Sequence, residues 1–305
     1  MLVFAASDKG GTGRSVTSAN IAFRRALTGD DVCYLDFDFG SPTAAAVFDV
    51  PSAMGGIDQG GLHSYLQGQA HEPVRLDVWA HTEHRALRHR PVGSGRLVLF
   101  PGDRSGGEFA VGNDSVIRCV DLFLRLHSEF DVVVVDLSAG RSYAVDLALE
   151  VTARPELQGV GARWLIHHRW TRQHVIAASG FAFGPRGILT GGVARGHDVE
   201  QLRGSMRFVR AAVPDPETPP WCLAPVAQYA WMNTCDQDLR RLAAERDVGY
   251  TAILGSVPLD PVLQWREQLI TDEDVLSSRV AGPETLKAFQ DLAEKLTDDD
   301  VWGMP

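Results

Sequence analysis

The stretch "ASDKGGTGRSVTSANIA", Ala6 to Ala22, decides how the rest of the chain is read. It follows an apolar run, "MLVFAAS", and leads into a helix-like segment at 14–28, giving a strand, a glycine turn and a helix in succession. Gly10, Gly11 and Gly13 tolerate positive φ and close backbone approach, so successive N–H groups can converge on phosphate oxygens. A helix beginning near Arg14 adds the positive end of its dipole at the same point. A phosphate loop usually ends Gly-Lys-Ser/Thr. Here Gly13 is followed by Arg14 and Ser15, while a different lysine, Lys9, stands just ahead of the glycine pair.

Outward from this loop, apolar runs bounded by glycine or charge recur at 1–7, 31–38, 96–102, 131–138 and 162–170. Continuous apolar runs of this length suit strands covered on both faces. Helix-like segments lie at 14–28, 114–129, 142–153, 171–181, 198–212, 236–247 and 283–296. Their alternation predicts an α/β fold with a doubly wound, mostly parallel sheet. Ligands of such sheets bind outside the carboxyl ends of the strands, where Asp36, Asp38 and Asp136 fall. The glycine-rich stretches 51–75 and 101–113 read as loops near that rim, and 184–192 and 214–220 as further breaks. The segment 221–233 reads as a buried strand or an aromatic interface, the former being simpler.

"KGGTGRSVTSANIA" resembles the deviant Walker A motif of the ParA/MinD family of P-loop ATPases. "CYLDFDFGSP" resembles that family's D-x-D motif, "FDVVVVDLSAG" its Walker B strand, and "ILGSVPLDPVLQWREQLITDEDV" its adenine-side segment. The resemblance implies a nucleoside triphosphate, ATP or GTP, bound with Mg²⁺ by a dimerising switch that acts on a partner or cargo. Under it, Lys9 serves the partner subunit's nucleotide, and Gly10, Gly11, Thr12, Gly13, Arg14, Ser15 and Val16 hold the protein's own. Asp38 orients the attacking water, Ser15 and (through water) Asp136 serve Mg²⁺, and Pro258 and Asp260 belong to the loop that packs on the base. The matching motifs lie in about 1–150 and 250–296, leaving a divergent middle at about 155–250 in which Asn233 is the one candidate for reading adenine. The whole of 1–305 is expected to form a single P-loop domain with a short flexible acidic tail at about 297–305.

Arg14 is the main departure from the family pattern. Arginine keeps the charge of the usual lysine but spreads it over a planar fork, so binding and hydrolysis must be judged separately. A guanidinium can still hold phosphate, whereas misplacement by roughly 1 Å can cost about 10²-fold in rate. Nucleotide binding is the expectation, and whether hydrolysis is ordinary, slow or absent is left open. A non-hydrolysing scaffold and a P-loop small-molecule kinase or ATP-dependent ligase remain as alternatives.

A formal net charge of -10 argues against a protein whose main work is gripping phosphate backbone. Arg85, Arg88, Arg90, Arg169 and Arg172 are candidates for nonspecific DNA contact, but an ion-paired or solvated surface is the preferred reading. His167 and His168 would point to opposite faces of a strand and so are expected to be structural rather than metal ligands. Four dispersed cysteines, the lack of a basic leader before "LVFAAS" and no apolar span near the roughly 18 residues a bilayer requires predict a cytoplasmic protein. The mixed-charge segment 283–296 and its aspartate-rich end predict no direct membrane anchor.

Overall fold

Strands β1 (Leu2–Ala6), β2 (Val32–Phe37), β3 (Leu76–Asp77), β4 (Leu97–Phe100), β5 (Val132–Leu137), β6 (Ala162–Arg169), β7 (Met206–Val213) and β8 (Ile253–Pro258) form one sheet. The computed structural model describes residues 1–303 apart from 89, 105, 215–221 and 223. The strand order is β3-β4-β2-β5-β1-β6-β7-β8, and only the two-residue β3 at one edge runs antiparallel. The fold is thus the doubly wound, mostly parallel α/β sheet that the alternating runs predict.

Strands β1, β2 and β4 to β7 each feed two cores, because successive side chains point to opposite faces. Leu2 and Phe4 of β1 join the core covered by α2 (Asn113–Glu129), α3 (Tyr143–Thr152) and α4 (Arg172–Phe183). Val3 joins the other core, covered by α1 (Arg14–Leu27) and α6 (Pro283–Thr297). A further helix, α5 (Val226–Glu245), meets the first core only through its C-terminal half, at Leu239, Leu242 and Ala243.

The sheet order brings the motifs together. β5 lies between β1 and β2, with Asp36 directly opposite Asp136 in the ladder, so the loop after β1 and the acidic ends of β2 and β5 share one rim. Asn20 of α1 is fully buried and fastens the 268–270 segment to that helix. Its amide donates to the Gln268 carbonyl at 3.0 Å, and its carbonyl accepts from Ile270 N–H at 2.8 Å. A buried amide so fully paired positions the chain that follows β8 beside the loop.

Three expectations need correction. The helix expected at 198–212 is a short helix, Val199–Gly204, followed by β7. Arg207 and Arg210 hide that strand in the sequence. In the fold Arg207 donates to the Gly204 and Val301 carbonyls at 2.9 and 2.8 Å, and Arg210 stacks over Trp170 at 3.8 Å. Apolar stems let both sit in a sheet, the Arg207 head bonded to carbonyls and the Arg210 head stacked on an indole. The stretch 221–233 is not a buried strand: residues 221 and 223 lie outside the described residues, and from Val226 onward it is helix α5 with Val226 and Trp231 exposed. Within the tail expected to fray, 299–302 forms a helical turn, Asp299–Trp302, where Trp302 is buried beneath the guanidinium groups of Arg163 and Arg207, while 304 and 305 lie outside the described residues. Its indole N–H also donates to the Lys295 carbonyl at 2.9 Å, and these contacts offset the repulsion of the aspartates. The 214–220 break falls almost wholly outside the described residues.

Candidate functional site

The glycine loop has the backbone its composition calls for. Gly11 and Gly13 adopt φ of 70° and 74°, which side chains on an L-residue resist. Thr17 N–H then bonds the Gly13 carbonyl at 2.8 Å as α1 begins. Behind the loop, Ser7 is a fixed point: its carbonyl accepts from Gly140 N–H at 2.7 Å and its hydroxyl donates to the Lys9 carbonyl at 3.0 Å. The α1 N-terminus therefore opens onto a cleft of about 570 Å³, lined by residues 9–17 with Asp38, Arg169, Pro258 and Glu267. That volume falls in the range usual for small-molecule sites. Lys9 lines the cleft half-buried, and its ammonium pairs with no carboxylate among the described residues.

Arg14 does not point along the loop. It is buried and turned toward the strand ends, its Nε donating to Asp136 at 2.5 Å and its Nη2 to Asp38 at 3.1 Å. Longer contacts of 3.5 Å reach the hydroxyls of Ser7 and Ser15. Burial opposes the guanidinium charge, but the Asp136 and Asp38 carboxylates outweigh it and hold the pKa above its ordinary value. A salt bridge so enclosed costs much to break one-sidedly, since the remaining charge is left buried and unpaired.

The neighbouring groups respond to the same burial. The Asp36 carboxyl, fully enclosed beside Asp136, is pushed up to about 8 despite the N–H donors of Ala44 and Asp38. His167 is pushed down to about 3 by burial and by the charge of Arg14, and among the described residues neither of its ring nitrogens has a hydrogen-bond partner. It is structural in being buried, yet it is not satisfied. Among the described residues no group of His, Cys, Asp and Glu is arranged to hold a metal ion, and His167 and His168 alternate across β6 as the strand pattern requires.

Magnesium would find donors of suitable chemistry in the Ser15 hydroxyl and the Asp136 carboxylate. Both are in contact with Arg14, which already supplies the positive charge between Asp38 and Asp136. These residues fit a divalent ion only with Arg14 turned away.

The remaining expected residues divide. Pro258 lines the cleft, whereas Asp260 is a turn residue, accepting from Val262 N–H, Gly282 N–H and the Thr285 hydroxyl at 3.1, 2.8 and 2.7 Å. Asn233 lies on α5 and does not line the cleft. Thr12 is buried in the loop with its hydroxyl unpartnered. Arg169, grouped in the sequence with surface arginines, instead lines the cleft and donates to Gln264 at 3.4 Å. Its place at the carboxyl end of a strand next to β1 was the signal that could have found it.

The structure of MinD with Mg-ADP from Pyrococcus horikoshii aligns over 98% of this chain and 96% of its own, at 17% identity and a TM-score of 0.53. A plasmid partition protein from Borrelia burgdorferi bound to AMPPNP aligns over 97% of both chains, at 13% identity and a TM-score of 0.60. The fold is that of the ParA/MinD ATPases. A curated relative agrees: the septum site-determining protein MinD of Bacillus subtilis is 28% identical over 161 residues, 50% of this chain and 53% of that protein. The match thus spans about half the length of the curated relative. No family model matches the chain. The ParA/MinD resemblance drawn from the motifs is borne out by these relatives. No helix among the described residues is long and apolar enough to cross a membrane.

Proposed function

We propose that this protein binds a nucleoside triphosphate, ATP before GTP, and uses it as a ParA/MinD-type dimerising switch that positions or regulates a protein partner. The observation that carries the reading is the glycine loop with positive φ at Gly11 and Gly13, opening at the start of α1 onto a cleft with a Lys9 that no carboxylate among the described residues pairs. Backbone N–H groups, a helix N-terminus and a free ammonium form a site for polyphosphate. The nucleotides named for the fold's relatives, Mg-ADP and AMPPNP, support the same class of ligand. Lys9 is proposed to reach a second subunit's phosphates, and Asp38 to orient water. Magnesium on Ser15 and, through water, on Asp136 would require Arg14 to leave those groups.

A second reading, binding without hydrolysis, is favoured by one contact. Asp38 cannot orient water freely while Arg14 holds its carboxylate at 3.1 Å. Light scattering without nucleotide, with ADP and with a slowly hydrolysed ATP analogue tests the switch. A dimer only with the triphosphate analogue is expected, and a monomer in all three removes the switch. A dimer in all three, insensitive to nucleotide, leaves the scaffold reading in its place.

A further inference from the structure

Arg14 stands between the two strand-end carboxylates of this site. Three negative centres meet there: Asp38, Asp136 and the phosphates that the proposed nucleotide would bring. In a magnesium-dependent site a divalent ion bridges such groups, joining protein oxygens to phosphate oxygens. Here the bridge position between Asp38 and Asp136 is taken by a side chain belonging to the loop itself.

The guanidinium has capacity to spare. It carries five N–H donors in a fixed plane. The described residues take four contacts from it, of which those to Ser7 and Ser15 are long at 3.5 Å. Donors on the side facing Ser15 and the loop can therefore exchange weak hydroxyl contacts for a phosphate oxygen, while Nε and Nη2 keep their carboxylates. Planar, charge-assisted forks are suited to this double engagement, which a lysine ammonium cannot match in geometry. A metal entering beside it would meet a like charge and two carboxylates already paired.

We propose that Arg14 is the resident cation of this site and that nucleotide binds as the metal-free polyphosphate, with Arg14 bridging it to Asp38 and Asp136 in place of a divalent ion. The inference rests on the nucleotide-binding reading and specifies the form of its ligand. Lys9, which has no carboxylate partner among the described residues, supplies a second positive charge toward the same cleft.

Calorimetric titration of the full chain with ATP, in magnesium chloride and in EDTA at matched ionic strength, tests it. The two dissociation constants are expected to agree within about threefold, and a loss of about tenfold or more in EDTA overturns the inference while leaving nucleotide binding intact. No binding in either buffer removes the nucleotide reading, and this inference with it. In Arg14→Lys, a point charge can no longer bridge both carboxylates and a phosphate. Its ATP affinity is expected to become magnesium-dependent by about tenfold or more. A variant as indifferent to EDTA as the wild type assigns the phosphate charge to Lys9 and the loop and overturns the role given to Arg14. Should the variant not fold, the wild-type titration decides alone.

Discussion

At the carboxyl ends of β1, β2 and β5, positive φ falls on glycine and the buried cation has two counter-charges; at the ends of β6 and β7, neither holds. Gly11 and Gly13 turn the first rim, and Arg14 is clasped by Asp38 and Asp136. On the second rim Ala212 takes φ of 52° at an irregularity in the β7–β8 pairing. There, too, among the described residues, both ring nitrogens of His167, His168 Nε2 and Arg210 Nε have no hydrogen-bond partner. Both rims border the same cleft, which Ala211 and Ala212 line from the second side. One half is locally consistent in charge and backbone, while the other carries local costs that its packing overrides. Such departures concentrate where a protein binds or switches.

The sharpest way to break the contrast is to remove the compensated cation. Arg14→Ala leaves Asp136 buried and unpaired, and is expected to lower unfolding free energy in urea by about 3–5 kcal/mol. Adding Asp136→Asn to it should recover a substantial part, because the stranded charge is then gone. A loss well below 1 kcal/mol for Arg14→Ala would mean that the clasp contributes little.

The second rim should respond to acid instead. Burial pushes His167 down to about 3 and His168 to about 4, below the ordinary 6.5. The unfolded chain therefore takes up protons first, and the stability present above 6.5 is lost as pH falls toward those values. At pH 5 each histidine should have cost about 2 kcal/mol relative to neutral pH, as read from urea midpoints. His168→Phe should remove roughly half of that slope. An unchanged slope would place the acid sensitivity elsewhere.

Smaller effects refine the picture. Ala212→Gly relieves a left-handed alanine but adds unfolded-state entropy, for a net gain of about 0.5 kcal/mol in thermal or urea unfolding. A loss of stability would show that the bulge holds alanine without strain. Trp231 on α5 is two-thirds exposed (66%), so Trp231→Ser should change stability by no more than about 0.5 kcal/mol. A larger loss would reveal packing that its exposure does not suggest.

How far the sequence could be read depended on what each segment had to bury. β1, β2, β4, β5 and β6 were legible because both faces lie against helices, which makes their residues almost uniformly apolar. β7 was not, since Arg207 and Arg210 interrupt the run and find carbonyls and tryptophan rings from distant parts of the chain. Helix α5 was half missed because only Ala243 of its length is buried, so little hydrophobic period marks it. The acidic end looked frayed for want of any local sign that Trp302 would meet Arg163 and Arg207.

By itself the sequence determined the loop, the parallel sheet and the carboxylates on its rim, because glycine freedom, strand burial and motif order are local properties. It also placed an arginine where a lysine is usual. Which way that arginine points was decided only by the tertiary structure. β5 inserts between β1 and β2, carries Asp136 beside the ends of both, and makes the strand-end carboxylates the nearest strong acceptors for a buried guanidinium. Position in the chain set the charge at the loop; the order of strands in the sheet determined what it pairs with.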